Sequence, residues 1–150
     1  MGQQVEMIIQ RLRRFARALS HDCDSADALV LEALSSNDGK RLDYHRLLTV
    51  LIARRRELDE REAGVKPQRL VPKTAAAGPA QPDILRAFDR LGLPDREVLA
   101  LISVEGMPYE DAAAVLALRE ETFIARLTRA RAAFARQVDG ERHVVLRIVK

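Results

Sequence analysis

A chain of 150 residues that is 47% apolar, 31% charged and 4% aromatic has room for one mid-sized or two small domains and is too apolar to be intrinsically disordered. A single cysteine, Cys23, excludes an internal disulfide and suits a reducing compartment. No run resembles a signal peptide or approaches the roughly 20 apolar residues of a membrane span, so a cytoplasmic protein with no membrane partner is expected. The net charge of +3 resides in residues 63–82 and the last eight residues, while 1–62 is balanced and 83–142 slightly acidic; free DNA should therefore be bound weakly unless a local stripe or a partner compensates.

In chain order, Ile8, Leu12, Phe15 and Leu19 recur at helical spacing and predict an amphipathic helix over Val5–Leu19, with Arg11, Arg13, Arg14 and Arg17 over the rest of its surface. The polar stretch Ser20–Asp24 interrupts the pattern, and Asp24 is placed to cap a second helix running to Leu34. Asn37-Asp38-Gly39 is a turn signal. A third helix over Asp43–Arg61 carries Leu47, Leu48, Leu51 and Ile52 on its apolar side. Gly64–Gln81 holds three prolines, two glycines and an alanine run, which oppose a continuous helix and read as a flexible tether, with a surface loop of one larger domain as the alternative. Two loosely joined bodies are expected in solution.

Beyond the tether, Pro82, Pro94 and Pro108 each stand where a helix begins, a position that tolerates the missing N–H. They open helices over Pro82–Leu91, Pro94–Glu105 and Pro108–Leu116. Gly106 ends one helix, small Ala112, Ala113 and Ala114 allow a close crossing, and a break at Ala117-Leu118-Arg119 precedes a long helix over Glu120–Val138. This spacing fits a helix-turn-helix, whose second helix enters the major groove N-terminus first.

The stretch LPDREVLALISVEGMPYEDAAAVLAL with TFIARLTRARAAF resembles the fourth region of sigma-70-family factors, the extracytoplasmic-function (ECF) type in particular. LRRFARALSHDCDSADALVLEAL resembles the start of the ECF second region. The resemblance implies an all-α fold of two small helical domains: 1–62 like region 2, a linker 63–81, 82–142 like region 4, and a tail 143–150. It implies contact between the last helix and the upstream promoter element, carried by Thr122, Arg126 and Arg129 at i, i+4 and i+7 and extended by Arg119 and Arg136. Arginine's planar fork suits phosphate and guanine edges. Phe123, Leu127, Ala130 and Phe134 lie on an adjacent face, toward the core. Asp27 and Glu32 are the implied contacts to core RNA polymerase.

Several positions depart from the family pattern. Ala28 and Leu31 stand where an aspartate and a glutamine are usual. Between Leu34 and Arg56 the only aromatic is Tyr44, although strand separation needs surfaces on which bases stack. Ile124 replaces a cation, and Glu120 and Glu121 repel phosphate while suiting a helix N-terminus. The tail His143–Val149 reads as a short β-strand and, after Phe134-Ala135-Arg136-Gln137, resembles the join to the receiver domain in general-stress regulators of the PhyR type. That group's sigma-like domain captures an anti-sigma protein; no further part of a receiver stands in this sequence, so control by phosphorylation is not expected. The histidines are scattered, no metal-ligand spacing or phosphate loop occurs, and His21-Asp22-Cys23-Asp24 reads as a polar turn. No catalysis, cofactor or metal is expected. The reading is an ECF-like sigma factor with core polymerase, promoter DNA and an anti-sigma factor as partners, or alternatively a sigma mimic that binds an anti-sigma factor without opening promoters.

Overall fold

The computed structural model describes residues 2–39, 41–64 and 83–148, with the backbone alone at 83 and 141–148. All regular structure in these residues is helical. The N-terminal half comprises α1 (Gly2–Leu19), α2 (Cys23–Ser35) and α3 (Tyr44–Gly64). The C-terminal half comprises α4 (Asp83–Asp89), α5 (Leu93–Ser103), α6 (Tyr109–Val115) and α7 (Glu120–Ile148). The tether expected over 63–81 has its first two residues inside α3, and residues 65–82 lie outside the described residues.

Helical periodicity fixes which faces are buried. Leu12, Phe15 and Leu19 of α1 are buried and Ile8 is half-buried. They pack with Leu29 and Val30 of α2 and with Leu47, Leu48, Leu51 and Ile52 of α3. The cap of α2 is Asp22 rather than the expected Asp24. Ser25 N–H donates to Asp22 Oδ1 at 2.7 Å, and Ser25 Oγ donates to Oδ2 at 2.7 Å. Asp24 falls one residue inside the first turn, where its charge complements the helix dipole but can no longer fill the cap position. The buried Arg55 donates from Nε to Leu19 O at 3.0 Å, closing the end of α1 with a charged group that looked like surface in the sequence.

In the C-terminal half α7 is the central element, packed by α4, α5 and α6. Phe88 of α4 meets Phe134 of α7 edge-on at 6.4 Å between centroids. The tail is a correction: His143–Ile148, read as a strand, continues α7. Once a helix is nucleated each further residue adds a hydrogen bond, whereas a lone strand needs a partner edge, and none is present among the described residues.

The halves are packed on each other, contrary to the expectation of two loosely joined bodies: α1 lies against α5 and α3 against α6. Charges of the two halves are paired across the junction. Arg11 Nη2 donates to Glu105 Oε2 at 2.9 Å, and Arg56 donates from Nε and Nη2 to the two oxygens of Glu97 at 2.9 and 2.7 Å.

Candidate functional site

Two backbone corners build the outward face of the C-terminal half. At the first, Gly106 has φ +63°, and the chain folds back so that Met107 N–H donates to Leu101 O at 3.1 Å. At the second, α6 ends at Val115 and the chain turns at Ala117, a non-glycine residue with φ +54°. Leu118 N–H donates to Ala113 O at 2.9 Å and Ala117 N–H to Ala114 O at 3.1 Å. These two bonds define a Schellman end, a motif that normally places glycine where Ala117 stands. Buried Ala112 and Ala113 allow α6 to approach α7, while Ala114, also expected at the crossing, is exposed. The break expected at Ala117-Leu118-Arg119 is therefore a formed corner.

Phe123, Leu127 and Ala130 of α7 are buried and Phe134 is half-buried, so the adjacent face points outward. Thr122, Arg129, Arg119 and Arg136 are exposed there, and Arg126 is half-buried. None of these four arginines takes part in an ion pair among the described residues, which leaves their donors available. Glu120, Glu121 and Ile124 (39% exposed) share the leading turns of the helix. Tyr109 packs beside Phe123 at 6.2 Å between ring centroids and steadies the start of the helix.

The α2 positions are placed differently. Asp27 lies 3.4 Å from Arg13 and Glu32 lies 3.6 Å from Arg54, both about half exposed. Such pairs are worth about 0–1 kcal/mol and exchange readily with a competing partner. Asp27 and Glu32 are both on α2, whereas the arginine stripe is on α7, so the candidate residues form two separate surfaces.

The residues that join the halves were not visible as a group in the sequence. The side chains of Glu97 and Glu105 are almost fully buried and accept from Arg56 and Arg11. The Arg11 guanidinium lies 4.2 Å from the centroid of the Tyr44 ring. The Tyr44 hydroxyl is buried beside Glu105 without meeting hydrogen-bond geometry; burial first and that carboxylate second push it above its ordinary range. Hydrogen bonding to Glu97 raises the affinity of Arg56 for its proton. On another side of the junction, burial and then the nearby Arg55 lower Arg96, whose Nε and Nη1 have no hydrogen-bond partner. His21 is lowered by lost hydration and then by Arg96, with Asp89 pulling the other way. Among the described residues no cluster of three His, Cys, Asp or Glu side chains could hold a metal, and no helix is long and apolar enough to cross a membrane.

Comparison with known proteins agrees with this architecture. Residues 82–134 match the model for region 4 of sigma-70, and residues 5–38 match that for the Sigma2 domain of PhyR. The ECF RNA polymerase sigma factor EcfG of Rhodopseudomonas palustris (strain TIE-1) is 32% identical over 145 residues, covering 82% of this chain and 76% of that protein. The sigma factor RpoE, solved with the anti-sigma factor NepR from Bartonella quintana, superposes with a TM-score of 0.72 at 27% identity, covering 92% of this chain and 96% of RpoE. CnrH, solved with the cytosolic domain of CnrY, shares the fold at a TM-score of 0.68 and 23% identity, covering 93% and 87% of the two chains. With the helix-turn-helix in place and a relative matched across both halves, the chain belongs to the ECF family of sigma-70 factors.

Proposed function

We propose that this chain acts in transcription initiation in the cytoplasm as an ECF sigma factor, with 1–62 and 82–142 as its two functional domains, 63–81 as their linker, and the end of α7 in place of a separate tail. Thr122, Arg126 and Arg129, flanked by Arg119 and Arg136, meet the upstream promoter element. Asp27 and Glu32 meet core RNA polymerase. The observation that carries this reading is the stripe of arginines on the helix that follows the tight Ala117 corner, exposed at Arg129 and Arg136, half-buried at Arg126, and without an ion pair among the described residues. Docking a helix in the major groove requires an outward face of this kind. The overall charge of the C-terminal half is slightly negative, so affinity for DNA rests on the stripe and on polymerase holding it close. The test is reconstitution with core polymerase on promoter DNA, scored for holoenzyme and for strand opening. Failure of both would refute the reading.

A second reading has its own support. The α2–α3 connection, Ser36–Asp43, contains no aromatic side chain on which a separated base could stack. Glu120, Glu121 and Ile124 stand exposed at the leading end of α7. The N-terminal match is to the PhyR-type domain, and RpoE was solved in the grip of an anti-sigma factor. On this reading the chain sequesters an anti-sigma factor. It predicts stoichiometric capture of a NepR-like protein and relief of the sigma factor that protein inhibits, with no promoter opening by the chain itself. Absence of such capture would exclude the second reading without touching the first.

A further inference from the structure

We propose that the two halves form a closed state held by an ionic latch, Arg11 and Arg56 on the N-terminal half against Glu105 and Glu97 on the C-terminal half, which keeps the facing surfaces of α1, α3, α5 and α6 covered until the pairs are broken. Its signature is an asymmetry of burial. The Glu105 and Glu97 side chains are 2% and 1% exposed, whereas their partners Arg11 and Arg56 are 47% and 43% exposed. Within the N-terminal half, Arg13–Asp27, Arg54–Glu32 and Arg54–Glu57 join two groups that are both about half exposed, and in Arg55–Asp59 and Arg55–Glu62 it is the cation that is buried and the carboxylate that is exposed. Among the described residues, only across the junction does an accessible cation close over a desolvated carboxylate.

Chemistry gives this arrangement two stable positions. Closed, each carboxylate is compensated by a guanidinium, bidentate in the case of Arg56 and Glu97, the geometry that suits arginine best. Tyr44 lies under Arg11 and beside Glu105, fixing that guanidinium by a cation–π contact. Open, the carboxylates regain water together with the arginines. Opening therefore need not leave a buried charge unpaired, whereas a change that removes the cation alone leaves an uncompensated carboxylate in the closed state and forces the halves apart. The two arginines are half in solvent, so dissolved ions and any charged partner can reach them. A junction held by apolar contact alone would be indifferent to both.

The test uses the full chain. The native Cys23, exposed at the start of α2, and a cysteine introduced by Ala132→Cys on the exposed side of α7 carry spin labels, and the distance distribution between them is measured. At low salt a single narrow distribution is expected. Arg11→Glu with Arg56→Glu should broaden it toward longer distances, as should about 1 M NaCl on the otherwise unaltered chain to a smaller extent, because pairs closed over a buried carboxylate are screened less than exposed ones. Arg11→Lys with Arg56→Lys should leave it narrow. Far-UV circular dichroism checks that the helices persist. Should the double Glu variant lose helicity, the neutral Arg11→Gln with Arg56→Gln and the salt series decide. A distribution that stays narrow in the charge-removing variant and at high salt, or one already broad at low salt, overturns the latch.

Discussion

Phe123→Ala is the substitution that probes the helix-turn-helix most severely. The Phe123 ring is 0% exposed, sits in the first turn of α7, and packs against Tyr109 at 6.2 Å and 43°. Truncating a buried phenylalanine costs about 3–5 kcal/mol through lost transfer energy and the cavity left behind. The ring pair supplies about 0.5–1.5 kcal/mol of that. A domain is typically stable by only about 5–15 kcal/mol, so the C-terminal half should be brought close to unfolding. Urea denaturation followed by far-UV circular dichroism reads the change. Ile124→Ala, one residue on and 39% exposed, is the matched control and should cost under about 1 kcal/mol. A loss below about 1 kcal/mol for Phe123→Ala, or equal losses for the two variants, would refute the assignment of Phe123 to the core and of the adjacent face to solvent.

Asp22→Ala should destabilise α2 by about 1 kcal/mol in thermal melts, while Asp24→Ala should cost only a few tenths; equal effects would contradict the cap geometry. Ala117→Gly should stabilise the chain by about 1 kcal/mol, because the left-handed backbone at φ +54° strains a side-chain-bearing residue; a lower melting temperature would count against that corner. His21 has a folded-state pKa below its ordinary 6.5, so between those values the unfolded chain binds more protons and stability falls as pH drops from about 7 through the folded pKa. His21→Gln should flatten that part of the melting-temperature profile, and an unchanged slope would contradict it.

Much of the fold was legible because apolar spacing alone decides which face of a helix is buried. Ile8-Leu12-Phe15-Leu19 and Phe123-Leu127-Ala130-Phe134 each recur at three or four residues, and proline and glycine mark where helices start and turn. The outward face of α7 that holds Thr122, Arg126, Arg129 and Arg136 was legible as the complement of the buried set, whereas the promoter-contacting role of these residues and of Arg119 came from the resemblance to region 4 and not from spacing. The cap of α2 was misplaced by two residues because Asp22 and Asp24 are chemically equivalent, and only backbone geometry selects between them. The helical end of α7 was missed because Val144, Val145 and Ile148 favour strands locally while continuity with an existing helix prevails. The junction was invisible for a different reason. Arg11–Glu105 and Arg56–Glu97 join residues 94 and 41 positions apart, and no local pattern distinguishes a guanidinium that closes a domain interface from one that is merely solvated. Arg55, Arg96 and Glu97 are buried charges in a chain whose charged residues otherwise read as surface.

The measurement that bears most directly on function is the salt dependence of promoter binding by the polymerase-bound chain, with and without Arg126→Ala and Arg129→Ala together. If the stripe on α7 neutralises backbone phosphates, the pair should weaken binding and lower the slope of log affinity against log salt by about 2, one counterion per arginine, with no loss of helicity. An unchanged slope and affinity in that double variant would contradict a DNA-facing role for α7.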